Sequence, residues 1–358
     1  MNQPLEASTT STATVHPMET AVDPAQIMKT ATAFWESKVL LTAVEFDLFS
    51  ILSKTQMTAN QLGDTLGIHP RGRYDFLDAL VAAGFLSRDG SGEQGLYSNS
   101  ANTDVFLNKK SEAYIGGIAE MLNARLFGFW NNLGEALRSG QAQNEIKTHG
   151  KPVFEELYAD NAKLGQFLDA MSGFQAGNFR QLAARFNFSD YHSLSDIGGA
   201  LGLLSCIIAE QHPHLHCNTF DLPPVAPHAM KLIQRKGLED RVKVVSGDFF
   251  ETELPPADII TMGNVLHDWN LENKKRLIQK AYDALPSGGA FIVIENLIDD
   301  DRRENLFGLL MSLNMLIETG DGFDYSGEDF RSWCQAIGFS HFEIIPLAGP
   351  TAAAVAYK

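Results

Sequence analysis

The rhythm of apolar positions changes along this 358-residue chain. From about residue 25, PAQIMKTATAFWESKVLLTAVEFDLFSIL carries apolar side chains at helical spacing on more than one face. That pattern predicts a helix buried between neighbours or between two chains. In MTANQLGDTLGIHPRGRYDFLDALVAAGFLSRDG, Thr58 can cap a short helix, Gly67 can end it, and His69-Pro70 opens the next. FLSRDGSGEQGLYSNS reads as a β-hairpin around Gly90 to Gly95. A helix-turn-helix with a following wing predicts a winged helix.

Residues 114–185 read as mainly helical, interrupted by a polar loop with Gly140 and Gly150. This stretch holds large flexible and aromatic side chains: Met121, Phe127, Phe129, Trp130, Phe154, Met171 and Phe174. Helix core accounts for most of them; some are of the type that lines a pocket for a flat apolar substrate. After Tyr191 the rhythm becomes strand, helix, strand through HSLSDIGGALG, LLSCIIAEQHP, LHCNTFDLP, RVKVVSGDFF, ADIITMGNVLHDW and AFIVIENLI. The fold class is therefore α/β, a doubly wound and mostly parallel sheet with ligands at the carboxyl ends of the strands. SGEDFRSWCQAIGF reads as a closing helix, followed by a terminal antiparallel pair in FEIIPLAGP and AAAVAYK.

Composition narrows the partners. Lys+Arg 28 against Asp+Glu 44 gives 28 − 44 = −16, which opposes attraction to nucleic acid or an anionic membrane. Arg71 and Arg73 stand at the start of the would-be recognition helix, but the helix continues YDFLDALVAAGFL, apolar and acidic. Neither nucleic acid nor membrane is expected as a partner, and no run of about 18 apolar residues is present. Cys206, Cys217 and Cys334 make neither a CxxC pair nor an even-numbered framework, which fits a reducing cytoplasm. The first two dozen residues have neither basic nor apolar signal regions and read as a Ser/Thr-rich flexible tail.

Chemistry is concentrated at strand ends. SDIGGALG, residues 195–202, is a glycine-rich turn between strand and helix, where Gly198, Gly199 and Gly202 permit close backbone approach by a ligand. About twenty residues on, Asp221 ends TFDLP, placed to accept hydrogen bonds from a ribose diol. Asp248 in SGDFF is placed to meet an adenine amino group. These strand ends describe a nucleoside site, and the turn lacks the GxGxxG of a dinucleotide binder. In TMGNVLHDWN, His267 and Asp268 follow a strand, where an imidazole titrating near neutrality is a candidate proton acceptor.

From about residue 25 onward the chain resembles the plant-type O-methyltransferase family, which includes caffeic acid and acetylserotonin methyltransferases and many bacterial natural-product enzymes. SDIGGALG, TFDLPPV, RVKVVSGDFF, VLHDWN, ALPSGGAFIVIE, SLNMLIETGDG and the final DF…AIGF helix carry the resemblance. It implies a Rossmann-like class I methyltransferase domain with an N-terminal helical winged-helix dimerisation domain, S-adenosyl-L-methionine as cofactor, and a homodimer. The expected division is a tail over 1–24, a dimerisation domain over 25–110, a helical linker and pocket region over 111–187, and the cofactor domain over 188–358.

The same resemblance implies His267 as general base, oriented by Glu295 and by Asp324. Asp324 stands in GFDYS, where the family segment carries Glu, and Tyr325 stands where it carries Arg. The shorter Asp puts the second orienting contact in question. An ordinary imidazole, pKa about 6.5 against about 10 for a phenol, would assist deprotonation without being protonated at rest. The cofactor set is Asp196, Gly198, Gly199, Asp221, Leu222, Asp248, Phe249 and Gly263; the substrate set is Met121, Phe127, Trp130, Phe154, Met171, Phe174, Asp268 and Met315. Gly263 replaces a lysine of plant members, and Ala200 replaces the middle glycine of the turn, which is tolerable if its φ is negative.

Three rival readings remain. A metal-assisted C-methyltransferase of α-keto acids would use His267, Asp268 and Glu318 as ligands. A relative with altered chemistry would bind the cofactor without methylating, and a regulator would use the winged helix. His212, His214 and His216 look like a metal box but read as loop packing. The expected reaction is methyl transfer to a hydroxyl of an aromatic small molecule, with O, N and C all open as the acceptor atom.

Overall fold

A computed structural model describes residues 22–150, 158 and 160–358; of the expected tail, residues 1–21 lie outside that description. The first long helix, Ala25–Glu45, buries only Leu41, Ala43 and Val44, all near its C-terminal end. Ile27, Met28, Phe34 and Trp35 are exposed. The apolar residues on several faces are thus only half used within one chain.

The helix-turn-helix forms as the caps predict. Thr58 and Gln61 make a reciprocal capping box at the start of the helix Ala59–Leu66, and Gly67 ends it in the left-handed region at φ 68°. His69 caps the helix Pro70–Ala82, whose first residue is proline, where the missing N–H costs nothing. A short strand β1 (Met57–Thr58) pairs with β3 (Leu96–Asn99), which pairs with β2 (Leu86–Asp89), all antiparallel. Leu48, Phe49, Leu52, Leu62, Leu77, Leu80 and Tyr97 form the core under this unit. Arg71 is paired with Asp75, and Arg73 with Asp64 at 2.6 Å and the Ile68 carbonyl at 2.9 Å. Both arginines therefore already have intramolecular partners.

The second sheet has seven strands: β4 (Ser193–Ile197), β5 (His216–Asp221), β6 (Val242–Ser246), β7 (Ile259–Gly263), β8 (Ala290–Glu295), β9 (His341–Pro346) and β10 (Ala352–Tyr357). Their order is β6-β5-β4-β7-β8-β10-β9, with β10 antiparallel to both neighbours and the remaining pairs parallel. The chain winds outward from β4 in both directions, so the crevice between the ends of β4 and β7 is the topological switch point, where open α/β sheets bind ligands. Every residue of β8 is buried, as expected of a strand covered on both faces.

Between the two units, the helix Asn161–Arg185 packs on Gly116–Met121 so closely that a Cβ on Gly117 would lie 3.3 Å from Ala170. One π-helical turn, Leu122–Leu126, follows. His212 and His214 contact the carbonyls of Ala183 and Phe188 through Nε2, so the histidine-rich loop is packing, as its sequence suggests. Cys206, Cys217 and Cys334 are free and buried. No helix among the described residues is long and apolar enough to cross a membrane.

Candidate active site

The glycine turn after β4 is held against the end of β5. Gly198 and Gly199 donate their amides to the Phe220 carbonyl at 2.9 and 3.1 Å. A Cβ on Gly198 would come within 2.7 Å of Val265 Cγ2, and one on Gly199 within 2.3 Å of Thr219 Oγ1. Neither position tolerates a side chain, and the bare backbone is left for a ligand.

The condition that would make Ala200 tolerable, a negative φ, is not met: its φ is +49°. A left-handed alanine costs roughly 1–2 kcal/mol. Its amide donates to Asp221 Oδ2 at 2.8 Å, and a hydrogen bond to a charged group contributes about 1.5–3 kcal/mol, enough to hold the strained turn. Asp221 Oδ1 accepts the Leu222 amide at 2.7 Å. Each oxygen keeps a lone pair for a diol. Burial raises the Asp221 pKa, and the two amide donors act against it.

Asp196, inside β4, accepts from Thr261 Oγ1 at 2.8 Å and is pushed up to about 7 by burial, so it ties β4 to β7 from within the sheet. Asp248 is exposed after β6 and accepts the Phe250 amide at 2.8 Å. Phe249 stands edge-on to Trp269, 6.0 Å between centroids. At Gly263 a Cβ would make only ordinary contacts, 3.7 Å to Phe179. Tyr158, which the sequence did not single out, packs on the cluster of Leu164, Leu168, Leu201, Val225 and Leu232. Burial raises its hydroxyl pKa, and the charges of Asp221 and Asp268 raise it further. Glycine turn, acid and aromatic ring fit an adenosyl cofactor at the switch point.

His267 lies on a short 3-10 turn, Leu266–Asp268, directly after β7, and is buried. Glu295, the last residue of β8, accepts the amides of Leu266 and His267 through Oε1 at 3.1 and 3.4 Å and thereby fixes the turn. Glu295 Oε2 is 3.6 Å from His267 Nδ1, while Asp324 Oδ1 is 3.3 Å from the same nitrogen. The second orienting contact is thus made in spite of the shorter side chain. The loop carrying Asp324 is drawn in: the Asp324 amide donates to Ser312 Oγ at 3.2 Å, and a Cβ on Gly322 would sit 2.6 Å from the His267 carbonyl. Asp268 Oδ1 is 3.5 Å from Nε2, the other face of the ring.

Three carboxylates around one imidazole alter its titration. Burial pulls His267 down, but Glu295, Asp268 and Asp324 together hold it up at about 10. The expectation of an ordinary imidazole fails for this reason. Burial also pushes Glu295 up to about 7 and Asp268 to about 6, against the pull of His267. Glu295 Oε2 and Asp324 Oδ2 are buried without hydrogen-bond partners, which is costly for polar oxygens.

Among the described residues, His267, Glu295 and Asp324 are the one group of possible cation ligands, their atoms within 4.8 Å of one another. The set weighed from the sequence, with Asp268 and Glu318, is not the one gathered. Glu318 instead pairs with Arg125 at 3.1 Å, and Arg125 makes a two-pronged contact with Glu145 at 2.6 and 2.7 Å. The π-helical turn carries Arg125 into this contact, such turns being frequent at functional sites.

Of the expected substrate residues, Trp130 donates Nε1–H to Asn314 Oδ1 at 2.9 Å, on the same helix as the buried Met315. Met121 ends the helix Gly116–Met121, and Met171 and Phe174 are half-buried on Asn161–Arg185. Phe127 is engaged by the N-terminal core, with Lys38 Nζ 4.8 Å from its ring centroid. Phe154 lies outside the described residues.

A further residue that the sequence analysis passed over is Lys274. It is fully buried, on the first turn of the helix Leu271–Ala284. The signal was legible: Lys274 shares the apolar stripe of Leu277, Ile278 and Ala281, the face a charged residue should avoid.

Known proteins match this architecture over nearly the whole chain. The model of the O-methyltransferase domain matches residues 130–340, and that of the O-methyltransferase dimerisation domain matches residues 28–109. The tetracenomycin polyketide synthesis 8-O-methyl transferase of Streptomyces glaucescens is 37% identical, over 94% of this chain and 97% of its own. An N,N-dimethyltransferase of Streptomyces rimosus is 35% identical, over 91% and 93%. The crystal structure of human N-acetylserotonin methyltransferase in complex with S-adenosylmethionine superposes with a TM-score of 0.86 at 27% identity, covering 95% of this chain and 99% of that one.

Proposed function

The chain belongs to the O-methyltransferase family and is an S-adenosylmethionine-dependent enzyme of it; from that premise we propose that it methylates a hydroxyl of an aromatic small molecule, with His267 as general base. The observation that carries this reading is the buried His267 with Nδ1 facing Asp324 and Glu295, at the end of the strand next to the glycine turn. S-adenosylmethionine supplies an activated methyl group with a good leaving group, so the protein has to position the acceptor and take its proton.

In this reading Glu295 and Asp324 fix the ring through Nδ1, and Nε2 receives the hydroxyl proton beside Asp268. With its pKa near 10, the imidazole holds a proton about as strongly as a phenolate does, so the transfer is nearly balanced. Asp196, Gly198, Gly199, Asp221, Leu222, Asp248, Phe249 and Gly263 would hold the cofactor, and Tyr158 joins them. Met121, Phe127, Trp130, Met171, Phe174 and Met315 would line the acceptor pocket. The bacterial relative that acts on a polyketide supports an aromatic acceptor. The exposed apolar residues of the first helix support a homodimer. A soluble cytoplasmic enzyme of secondary metabolism fits the three free thiols and the acidic surface.

Nitrogen is the second acceptor to test, because one relative at 35% identity is an N,N-dimethyltransferase. Incubation with labelled S-adenosylmethionine and a panel of phenols, naphthols and matched aryl amines, read by mass spectrometry and NMR, decides between them. A methyl ether is expected. Label on nitrogen or carbon alone would replace the hydroxyl reading.

A further inference from the structure

Two cations of the helix Leu271–Ala284 are directed at main chain. Arg276, exposed, and Lys280, half-buried, stand four residues apart, so both side chains leave the helix on one side. Arg276 Nη2 donates to the carbonyl of Phe250 at 2.6 Å, with its guanidinium carbon 5.1 Å from the Phe250 ring centroid. Lys280 Nζ donates to the Thr252 carbonyl at 2.7 Å and to that of Phe250 at 3.5 Å. The chain holds 44 acidic residues, yet among the described residues neither cation pairs with a carboxylate. Both instead hold the carbonyls of one short turn through charge-assisted hydrogen bonds.

That turn, residues 247–252 after β6, carries Asp248 and Phe249 of the expected cofactor set. It starts at Gly247, whose amide donates to the Asp221 carbonyl at 3.0 Å and where a Cβ would lie 2.8 Å from the Phe220 ring. The turn is thus fastened to the strand end that offers the diol partner. Asp248 Oδ1 accepts the Phe250 amide at 2.8 Å, and the Asp248 carbonyl accepts that of Thr252 at 2.7 Å. Phe250 therefore orients Asp248 through its N–H while Arg276 holds the same residue by its C=O. Asp248 Oδ2 is left for a donor. The Phe250 ring stands edge-on to Trp269, 4.7 Å between centroids, which braces the turn against the segment that carries His267.

We propose that Arg276, seconded by Lys280, is a positioning residue for the cofactor: it holds the turn 247–252 so that Asp248 and Phe249 meet the adenine. This rests on the reading of Asp248 and Phe249 as cofactor residues. A turn already held in its binding geometry keeps affinity that a free turn would lose to ordering on association. The effect belongs to binding, because the purine takes no part in the methyl transfer.

The test is calorimetric titration of S-adenosylhomocysteine and of adenosine into the native enzyme, Arg276→Ala, Arg276→Lys, Asp248→Ala and the double variant, with KM and kcat for S-adenosylmethionine on the same proteins. Arg276→Ala should bind both ligands roughly tenfold more weakly, as expected for one hydrogen bond to a charged group, and should raise KM more than it lowers kcat. Arg276→Lys should recover most of the loss. The double variant should bind no more weakly than Asp248→Ala, because both changes act through one turn. Native affinity in folded Arg276→Ala overturns the proposal, since a purely structural arginine would alter stability and leave the affinity alone. Losses in both single variants that add in full in the double overturn it too, as does a loss with S-adenosylhomocysteine that adenosine does not share. Native affinity in Asp248→Ala beside a weakened Arg276→Ala removes Asp248 as the adenine partner and leaves Phe249 as the residue that Arg276 positions. If Arg276→Ala does not fold, Lys280→Met decides: its affinity for adenosine should fall a few-fold, and native affinity overturns the proposal.

Discussion

Asp324 Oδ1 stands 3.3 Å from His267 Nδ1, closer than Glu295 Oε2 at 3.6 Å, although Asp324 is one carbon shorter than the residue its segment resembles. The loop makes up the difference, through Gly322 packed against the His267 carbonyl and the Asp324 amide on Ser312. Restoring the longer side chain should therefore harm the site. Asp324→Glu is expected to overpack a fully buried position at a cost of about 1–3 kcal/mol and to lower kcat, measured by denaturant unfolding and steady-state kinetics. An unchanged stability would mean that the loop relaxes freely.

His267→Ala should lose roughly 10²- to 10⁴-fold in kcat, the span usual for a general base. S-adenosylmethionine affinity by calorimetry should stay within a few-fold, because the proposed cofactor set, at the ends of β4, β5, β6 and β7, does not include His267. Full turnover in the variant would end the base assignment.

Turnover should rise with pH above neutrality, since the carboxylates raise the imidazole pKa to about 10 and the protonated ring cannot accept a proton. A sulfonium in the same site is a like charge and should lower that pKa by on the order of one unit, more than the neutral sulfur of S-adenosylhomocysteine does. NMR titration of the two complexes checks the order. Equal imidazole pKa values in both would place the sulfur too far from His267 to be felt.

Ala200→Gly should raise stability by about 0.5–1 kcal/mol, because glycine removes the left-handed penalty and gives back part of it as chain entropy. Urea midpoints at constant slope are the readout. A fall in stability would mean that the alanine methyl packs in the cluster around Leu201.

The paired change Phe34→Glu and Trp35→Glu should convert a homodimer to monomer, since both side chains are exposed on the first helix and stack edge-on at 5.9 Å. Light scattering on the native and variant proteins reads it. A native monomer, or a variant that remains dimeric, moves the interface elsewhere.

Local rules made much of this molecule legible in the sequence. Thr58, Gly67 and His69-Pro70 fixed helix ends because caps and left-handed turns involve only neighbours. Strand-helix alternation implied the parallel sheet, and the glycine turn with Asp221 implied the nucleoside end of the site. The chemistry around His267 was decided by tertiary structure, because Glu295 and Asp324 reach one imidazole from 28 and 57 residues away. The three carboxylates then raised the imidazole to about 10 against the pull of burial, a shift that depends on their sharing one dry space and that no local pattern encodes. Ala200 took a positive φ because the Asp221 carboxylate, 21 residues distant, was there to receive its amide. The sequence identified which groups were available; only their convergence in a low-dielectric interior set the charges they carry.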